Sequence, residues 1–292
     1  MAIITISRGS YSHGKEIAEK ASQHLGYDCI SRETLLKASK DFNIAEISLL
    51  RAFEDTPSFL DRFTHGKERY IAYIQAALLK YLKKDNIIYH GFAYHFIVKD
   101  IPRLLNVRII ADIEQRAKIV MQRDGLSGKE ALRFLNKVDL ERRKWSRSLY
   151  GIDPEDPMLY DLILNINKIT VEDAIETICK TASLKQFQTT PESKEVLEDL
   201  ALAAEVKTFL INVKPSAEVC IENGFVSLKT QAPVGQESAL IQKVGEIMKM
   251  IPGIRGIEVV TERHKDDRFV CLTDPSLPSA KHKTSTFFTE LG

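Results

Sequence analysis

The first eighteen residues constrain this chain more than any other segment. An apolar run at residues 3–6 stops at the loop Gly9-Ser-Tyr-Ser-His-Gly14-Lys15, and a helical pattern begins at Glu16. The order is strand, glycine-bounded loop and helix, with the G-x-x-x-x-G-K spacing of a phosphate-binding loop. Glycines at both ends let backbone N–H groups converge, and the helix N-terminus adds partial positive charge. We therefore expect Lys15 to reach the outer phosphates of a nucleotide.

One position of this loop departs from the usual motif. Glu16 follows the lysine, where the motif normally has Ser or Thr, whose hydroxyl contacts Mg²⁺. The spacing by itself also fits a glycine-containing turn that binds nothing. Both interpretations stay open on the loop alone.

Length and composition limit the classes of protein to which this chain can belong. A chain of 292 residues is long enough for two domains, and a net charge of +1 argues against a general nucleic-acid binder. The four cysteines are widely spaced, so we expect buried or incidental thiols in a reducing compartment. No signal peptide or apolar run of membrane-spanning length is present in the sequence. These features predict a cytoplasmic protein without a transmembrane segment.

Strands and helices alternate through residue 184. Apolar runs predict strands at residues 3–6, 27–30, 86–91, 105–111 and 159–165. Helical patterns lie between them, at residues 32–53, 67–84, 126–149 and 171–182 among others, and Thr170 is a candidate N-cap. This order predicts an α/β fold with a five-stranded parallel sheet and helices on both faces. Ligands of such sheets bind at the carboxyl ends of the strands, where Gly9, Gly91 and Asp112 fall.

An arginine-rich segment at residues 139–151 carries the second chemical signal. Arg143 and Arg147 are four residues apart and share a helical face, with Arg142 beside it. Guanidinium groups bind phosphate oxygens in a bidentate manner, and phosphoryl transfer depends mostly on positioning and charge neutralisation. The alternative is a solvated helix whose arginines pair with Asp139 or Glu141. The phosphate-binding loop in the same chain favours the functional interpretation.

The segments ISRGSYSHGKEIAEK, CISRETLL, IIYHGFAYHFI, VRIIADIEQRAKIV, NKVDLERRKWSRSLYG and YDLILNINKIT occur in this order. Together they resemble the cytidylate-kinase-like family of P-loop nucleoside-monophosphate kinases, over residues 1–182. The resemblance implies a P-loop kinase-type sheet, a lid that closes over ATP, Mg²⁺ as cofactor and a nucleoside monophosphate as acceptor, with a CMP-like acceptor favoured. It implies no metal-ligating side chains.

The resemblance also implies roles for individual residues. ATP would be bound by Gly9, Ser12, His13, Gly14, Lys15, Glu16 and Arg116. The catalytic residues would be Lys15 and the lid arginines Arg142, Arg143 and Arg147, while Arg32 and Asp161 would bind or orient the acceptor. Tyr11 and His13 replace glycines of the family loop, so their side chains must point away from the phosphates.

After residue 184 the composition and periodicity of the sequence change. A polar linker and a helix are expected at residues 185–202, a small α+β domain at 203–264 and a disordered tail at 265–292. Asn223-Gly224 between alternating runs predicts a hairpin. VCIENGFVSL, a helix and PGIRGIEVV resemble a BON domain, which implies a small ligand, a membrane surface or a dimer contact. The alternative is an accessory or dimerisation module.

Three functions therefore stay open. The first is an ATP-dependent nucleoside-monophosphate kinase with a regulatory or ligand-binding C-terminal domain. The second is a catalytically weak or inactive nucleotide sensor that acts through that domain, and the third is an interaction protein with a vestigial site.

Overall fold

The structure is a computed structural model, and it describes residues 2–31, 33–35, 66–91, 98, 101–211, 214–229, 242, 244–246, 249, 251–260, 270–271 and 286–290. The strands are β1 (Ile3–Arg8), β2 (Asp28–Ser31), β3 (Ile87–Gly91), β4 (Leu104–Ile110), β5 (Leu162–Asn165), β6 (Glu218–Glu222), β7 (Phe225–Lys229), β8 (Gly256–Val260), β9 (Val270–Cys271) and β10 (Thr286–Glu290). The α-helices are α1 (Gly14–Leu25), α2 (Gly66–Leu82), α3 (Ile113–Asp124), α4 (Gly128–Tyr150), α5 (Val171–Ala182) and α6 (Pro191–Leu210). No helix within these described ranges is both long and apolar enough to cross a bilayer.

The chain divides into two compact units. The first comprises residues 1–59 and 84–190, and the second comprises residues 60–83 and 191–292. Helix α2 therefore groups with the second unit. Helix α6 runs continuously through position 203, where the sequence places the start of a C-terminal domain.

The first unit is built on a parallel sheet of strand order β2-β3-β1-β4-β5. All four strand pairs are parallel, and β1 lies between β3 and β4. The predicted α/β fold, a five-stranded parallel sheet with helices on both faces, is confirmed. The last strand is shorter than predicted because a 3-10 turn at Pro157–Leu159 precedes it. Thr170 caps α5 as predicted, since its hydroxyl accepts from Asp173 N–H at 3.1 Å.

The two faces of this sheet differ in polarity near β1 and β4. On one face, Ile4 and Ile6 join the core beneath α1 and α5. On the other face, Ser7 lies opposite Arg108 in the parallel register, and Thr5 Oγ1 donates to Asn106 Oδ1 at 2.7 Å. Side chains alternate between the faces of a strand, so polar groups collect on one side at the centre of the sheet. This polar face is where the site described below is located.

The second unit contains a sheet of strand order β10-β8-β7-β6-β9, and its helices α2 and α6 pack together. The predicted hairpin is present, because β6 and β7 pair antiparallel around Asn223 and Gly224, both at positive φ. Strands β9 and β10 fall in the segment expected to be a disordered tail. The helix predicted at residues 32–53 lies almost wholly outside the described residues, as does most of the helix predicted between the segments VCIENGFVSL and PGIRGIEVV.

The expectation of four free thiols is wrong for Cys220, which is disulfide-bonded. The antiparallel register of β6 and β9 places position 271 opposite Cys220, a proximity that sequence spacing does not reveal. Cys29 and Cys179 are free, and partial burial raises the pKa of each thiol.

Candidate active site

The loop after β1 adopts an unusual backbone conformation at two positions. Tyr11 has φ 58° and His13 has φ 62°, both in the left-handed region that favours glycine. The Tyr11 ring packs against Phe134, with centroids 6.0 Å apart, and lies under the guanidinium of Arg123 at 4.7 Å. His13 Nδ1 lies 3.1 Å from the carboxylate of Glu16. Both side chains therefore have partners of their own at the loop surface.

Ser12 fixes the loop to the neighbouring strand. Its buried hydroxyl donates to Gly9 O at 2.9 Å and to Ile109 O at 3.1 Å, and Gly9 N–H donates to Ile109 O at 3.0 Å. The Ser12 hydroxyl is thus used to hold the turn against β4. Its predicted contact with phosphate would have to come from the backbone N–H.

Gly14 has a steric reason for being glycine. A β-carbon at this position would lie 2.5 Å from Arg8 Cβ and 2.9 Å from Arg8 Cδ. Separations below about 3 Å are forbidden between carbon atoms, so any side chain at position 14 would displace Arg8. The second glycine of the motif therefore makes room for an arginine.

Lys15 and Glu16 point to the surface of α1. The Lys15 side chain is 63% exposed, and its Nζ lies 3.7 Å from the Glu19 carboxylate. Glu16 pairs with Lys20 at 2.9 Å. The hydrogen bond from Lys20, followed by that from His13, lowers the pKa of Glu16. Lys15 is therefore held only by a weak surface pair and is available to turn toward a bound phosphate.

Arg116 is buried and ties three segments together. Its Nε donates to Ser10 O at 2.6 Å, and its Nη2 donates to both oxygens of Asp139 at 2.9 and 2.7 Å. The Ser10 hydroxyl donates to the same carboxylate at 3.0 Å. This network joins the loop to α3 and α4. Arg116 is thus beside the phosphate loop, and its charge is neutralised by Asp139.

The three arginines that the resemblance assigns to a lid lie on α4, and one acidic residue pairs with two of them. Arg143 donates to Asp153 Oδ2 through Nε and Nη2, and Arg147 Nη2 donates to the same oxygen at 2.7 Å. Arg143 Nη1 also pairs with Glu155 at 2.8 Å. Hydrogen bonding, above all from Arg143, lowers the pKa of Asp153 to about 2. The alternative pairing with Asp139 or Glu141 is not what these two arginines use.

A pocket of about 300 Å³ lies between the loop, β4, β5 and α4. Its lining residues are Arg8, Gly9, Arg108, Ile110, Ala111, Arg116, Asp139, Arg142, Arg143, Pro154, Glu155 and Ile163. Five of these are arginines, so the pocket is suited to an anion. The structure thus brings together Gly9, Arg116, Arg142 and Arg143 from among the predicted site residues.

The sequence model of the cytidylate kinase-like family matches residues 3–168, which is more than half of the chain. This chain belongs to the cytidylate kinase-like family. The cytidylate kinase of Pyrococcus horikoshii is 25% identical over 170 residues, covering 58% of this chain and 82% of that protein. The cytidylate kinase of Pyrobaculum aerophilum is 26% identical over 195 residues, covering 63% and 97% respectively. A crystal structure of an uncharacterised protein from Eubacterium ventriosum is 24% identical, with a TM-score of 0.47, and covers 62% of this chain and 97% of that one.

Not every predicted residue of this cytidylate kinase-like protein lies at the pocket. Asp161 precedes β5, and its carboxylate accepts from Asn106 N–H at 2.8 Å, while its own N–H donates to Asn106 O at 2.9 Å. Because the sheet is parallel, this start of β5 lies away from the strand end that carries the loop. Asp161 is therefore engaged in joining two strands. Arg32 is outside the described residues.

Sequence reasoning missed several residues of this site. Arg8, Arg108 and Asp139 line the pocket, and Asp153 pairs with Arg143 and Arg147. A signal for Arg108 was present, since an arginine inside an otherwise apolar strand needs an explanation. The partners of Asp153 depend on how the segment after α4 turns back, which spacing along the chain does not reveal.

Membership of a kinase family implies that ATP is used, and the residues fit its polyphosphate. The pocket presents cationic side chains next to a loop that opens a helix, which is the donor set that phosphate oxygens require. The fit for Mg²⁺ is different. In the described part of the chain, no group of three or more His, Cys, Asp or Glu side chains could hold a metal ion. Mg²⁺ commonly takes most of its ligands from substrate phosphates and water, so such a group is not required for ATP to carry the ion.

Proposed function

We propose that this protein transfers the terminal phosphoryl group of ATP to a nucleoside monophosphate, with a CMP-like acceptor favoured. The observation that supports the proposal best is the arginine-lined pocket next to the G-x-x-x-x-G-K loop at the end of β1. The family match and the similarity to archaeal cytidylate kinases agree with it. The CMP preference rests on those relatives alone.

In this proposal the loop and the arginines have separate roles. Lys15 turns from Glu19 to the outer phosphates of ATP, and Arg142, Arg143 and Arg147 neutralise charge on the transferred group. An oxygen of the acceptor phosphate attacks the γ-phosphorus, the bond from that phosphorus to the β–γ bridging oxygen breaks, and ADP leaves with the electron pair. The protein contributes position and charge rather than covalent chemistry. Mg²⁺, bound by ATP, would supply further charge neutralisation.

A second candidate is a catalytically weak nucleotide sensor whose output is the C-terminal unit. The observation that favours it is that Tyr11 and His13 occupy left-handed positions of the loop, where glycine would leave more freedom. The BON-like character of residues 203–264, a ligand, membrane or dimer contact there, and a cytoplasmic location stay predictions.

The deciding experiment measures ADP release from Mg-ATP with a panel of nucleoside monophosphates that includes CMP. Lys15→Ala is the blank, and Lys129→Ala, which removes an exposed lysine of α4, is the matched control. Turnover that depends on one acceptor and is lost only in Lys15→Ala supports the kinase. ATP binding without turnover by any acceptor supports the sensor, and no ATP binding argues against both.

A further inference from the structure

The turn between α4 and β5 carries the two carboxylates that hold Arg143. Asp153 Oδ2 accepts from both Arg143 and Arg147, and Glu155 pairs with Arg143 Nη1 at 2.8 Å. The other oxygen of Asp153 accepts from Glu155 N–H at 3.1 Å, which ties the two acidic residues together. The orientation of both guanidinium groups therefore depends on where this turn is held.

The side chain of Tyr160 folds back over the same turn. Its hydroxyl donates to the carbonyl of the buried Pro154 at 2.8 Å, six residues earlier in the chain. Pro154 lies between Asp153 and Glu155 in the sequence. This hydrogen bond therefore fixes the backbone at the centre of the acidic pair.

The sheet holds Tyr160 in turn. Arg108 Nη1 lies 3.3 Å from both the Tyr160 hydroxyl and Ser7 Oγ, and its guanidinium carbon lies 5.4 Å from the centre of the tyrosine ring. A guanidinium only donates and a carbonyl only accepts, so the hydroxyl accepts from Arg108 and donates to Pro154. Donation by a charged group polarises the hydroxyl and strengthens the second bond. Burial raises the pKa of Tyr160, which keeps this proton on the phenol near neutral pH.

We propose that Tyr160 is a positioning residue for Arg143 and Arg147, which it orients by holding the Asp153–Glu155 turn against the sheet. The two guanidinium groups are then ordered before any nucleotide binds, so the free energy of ordering them does not add to the barrier of the reaction. The effect on catalysis rests on the proposed function. The effect on the arginines of the unliganded protein does not.

The first measurement is the solvent exchange rate of the Arg143 Nε–H, followed by nitrogen-15 NMR of the full-length protein without nucleotide. In the wild type this N–H donates to Asp153 at 3.1 Å. Tyr160→Phe keeps the ring against Arg108 and removes only the hydroxyl. Asp153→Asn removes the charge of the acceptor itself and sets the largest effect to be expected.

Two controls separate a local effect from a general one. The Nε–H of Arg123, which donates to Asp124 at 2.7 Å, is a reference in the same spectra. Tyr27→Phe also removes a tyrosine hydroxyl that bonds the backbone, at Ala2 near the amino ends of the strands. If thermal unfolding shows that Tyr160→Phe does not fold, Arg108→Gln replaces it, with a smaller acceleration expected because the hydroxyl stays.

We expect exchange at Arg143 to be about tenfold faster in Tyr160→Phe, faster still in Asp153→Asn and unchanged in Tyr27→Phe. Exchange at Arg123 should be the same in all four proteins. With ATP and the acceptor that gives turnover, kcat of Tyr160→Phe should fall by about tenfold while KM for ATP changes by less than about twofold.

Three results would overturn the positioning role of Tyr160. They are exchange at Arg143 that matches wild type in Tyr160→Phe, exchange that accelerates equally at Arg123, and an unchanged kcat in an enzyme that is active. Absence of turnover by the wild type with every acceptor would instead overturn the proposed function. The exchange rates, which need no nucleotide, would then decide the positioning role by themselves.

Discussion

The side chain of Arg8 occupies the space that a β-carbon on Gly14 would need, with only 2.5 Å between that position and Arg8 Cβ. The atom concerned is the root of the arginine side chain, which cannot swing away as its tip could. The second glycine of the phosphate loop and the arginine that ends β1 are thus sterically coupled.

This relationship predicts that Gly14→Ala is destabilising only while Arg8 is present. Overpacking should lower the free energy of unfolding by about 1–3 kcal/mol in the wild-type background. In an Arg8→Gly background the clash is gone, because glycine has no β-carbon, and alanine should be better than glycine in the first turn of α1 by roughly 0.5–1 kcal/mol. Urea unfolding of the two single variants and the double variant measures the coupling. Equal costs in both backgrounds would contradict the steric explanation.

The second prediction concerns the network that joins the loop to α4. Asp139→Asn leaves Arg116 buried without its counter-charge, so we expect the free energy of unfolding to fall by about 2 kcal/mol. Glu141→Gln on the same helix breaks only the exposed pair with Lys144 and should change the free energy of unfolding by less than about 0.5 kcal/mol. Chemical denaturation monitored by Trp145 fluorescence compares the two. A similar small effect in both variants would mean that the network carries little stability.

The third prediction is a pH dependence that arises from His90. This side chain at the end of β3 is 4% exposed, its Nδ1 has no hydrogen-bond partner within the described residues, and burial lowers its pKa from 6.5 to about 4. The folded state therefore disfavours the protonated imidazole, whereas the unfolded chain accepts a proton near pH 6.5. Stability from this group is fully present above pH 6.5 and is lost as the pH falls toward 4, by about 3 kcal/mol in total.

His90→Leu should flatten the unfolding free energy between pH 6.5 and 4, because the group that protonates on unfolding has been removed. His24→Leu, which replaces an exposed histidine of α1, is the control and should leave the slope unchanged. Thermal or urea unfolding at several pH values gives the slope directly. The same slope in His90→Leu and in wild type would assign the acid sensitivity to other groups.

The fourth prediction separates catalysis from binding at the lid. If the protein is a kinase, Arg147→Ala should lower kcat by about 100-fold and change ATP affinity much less, because a lid arginine acts mainly on transition-state charge. Arg133→Ala on the exposed side of the same helix should change kcat and ATP affinity very little. Steady-state kinetics and equilibrium ATP binding measure the two quantities. Equal losses in both would assign Arg147 to ground-state binding.

The parallel sheet of the first unit follows from the sequence alone. Apolar runs of strand length alternate with helical patterns, and crossovers of that length leave little choice but a parallel sheet. The sequence also predicted the glycine-bounded loop after β1, the shared face of Arg143 and Arg147, and the Thr170 cap, because each depends on neighbours only a few residues away. Local geometry fixes such features, so local sequence reveals them.

The pairing of the charged side chains follows from the tertiary fold instead. Asp139 meets Arg116 and Ser10, Asp153 gathers Arg143 and Arg147, and Arg8 and Arg108 keep no acidic partner among the described residues. Each of these contacts depends on where one segment returns across another, and many pairings satisfy the same composition equally well. The disulfide at Cys220 has the same origin, because only the register of β6 against β9 brings position 271 opposite it. Spacing along the chain sets the elements, whereas the free energy of packing them selects which charges meet.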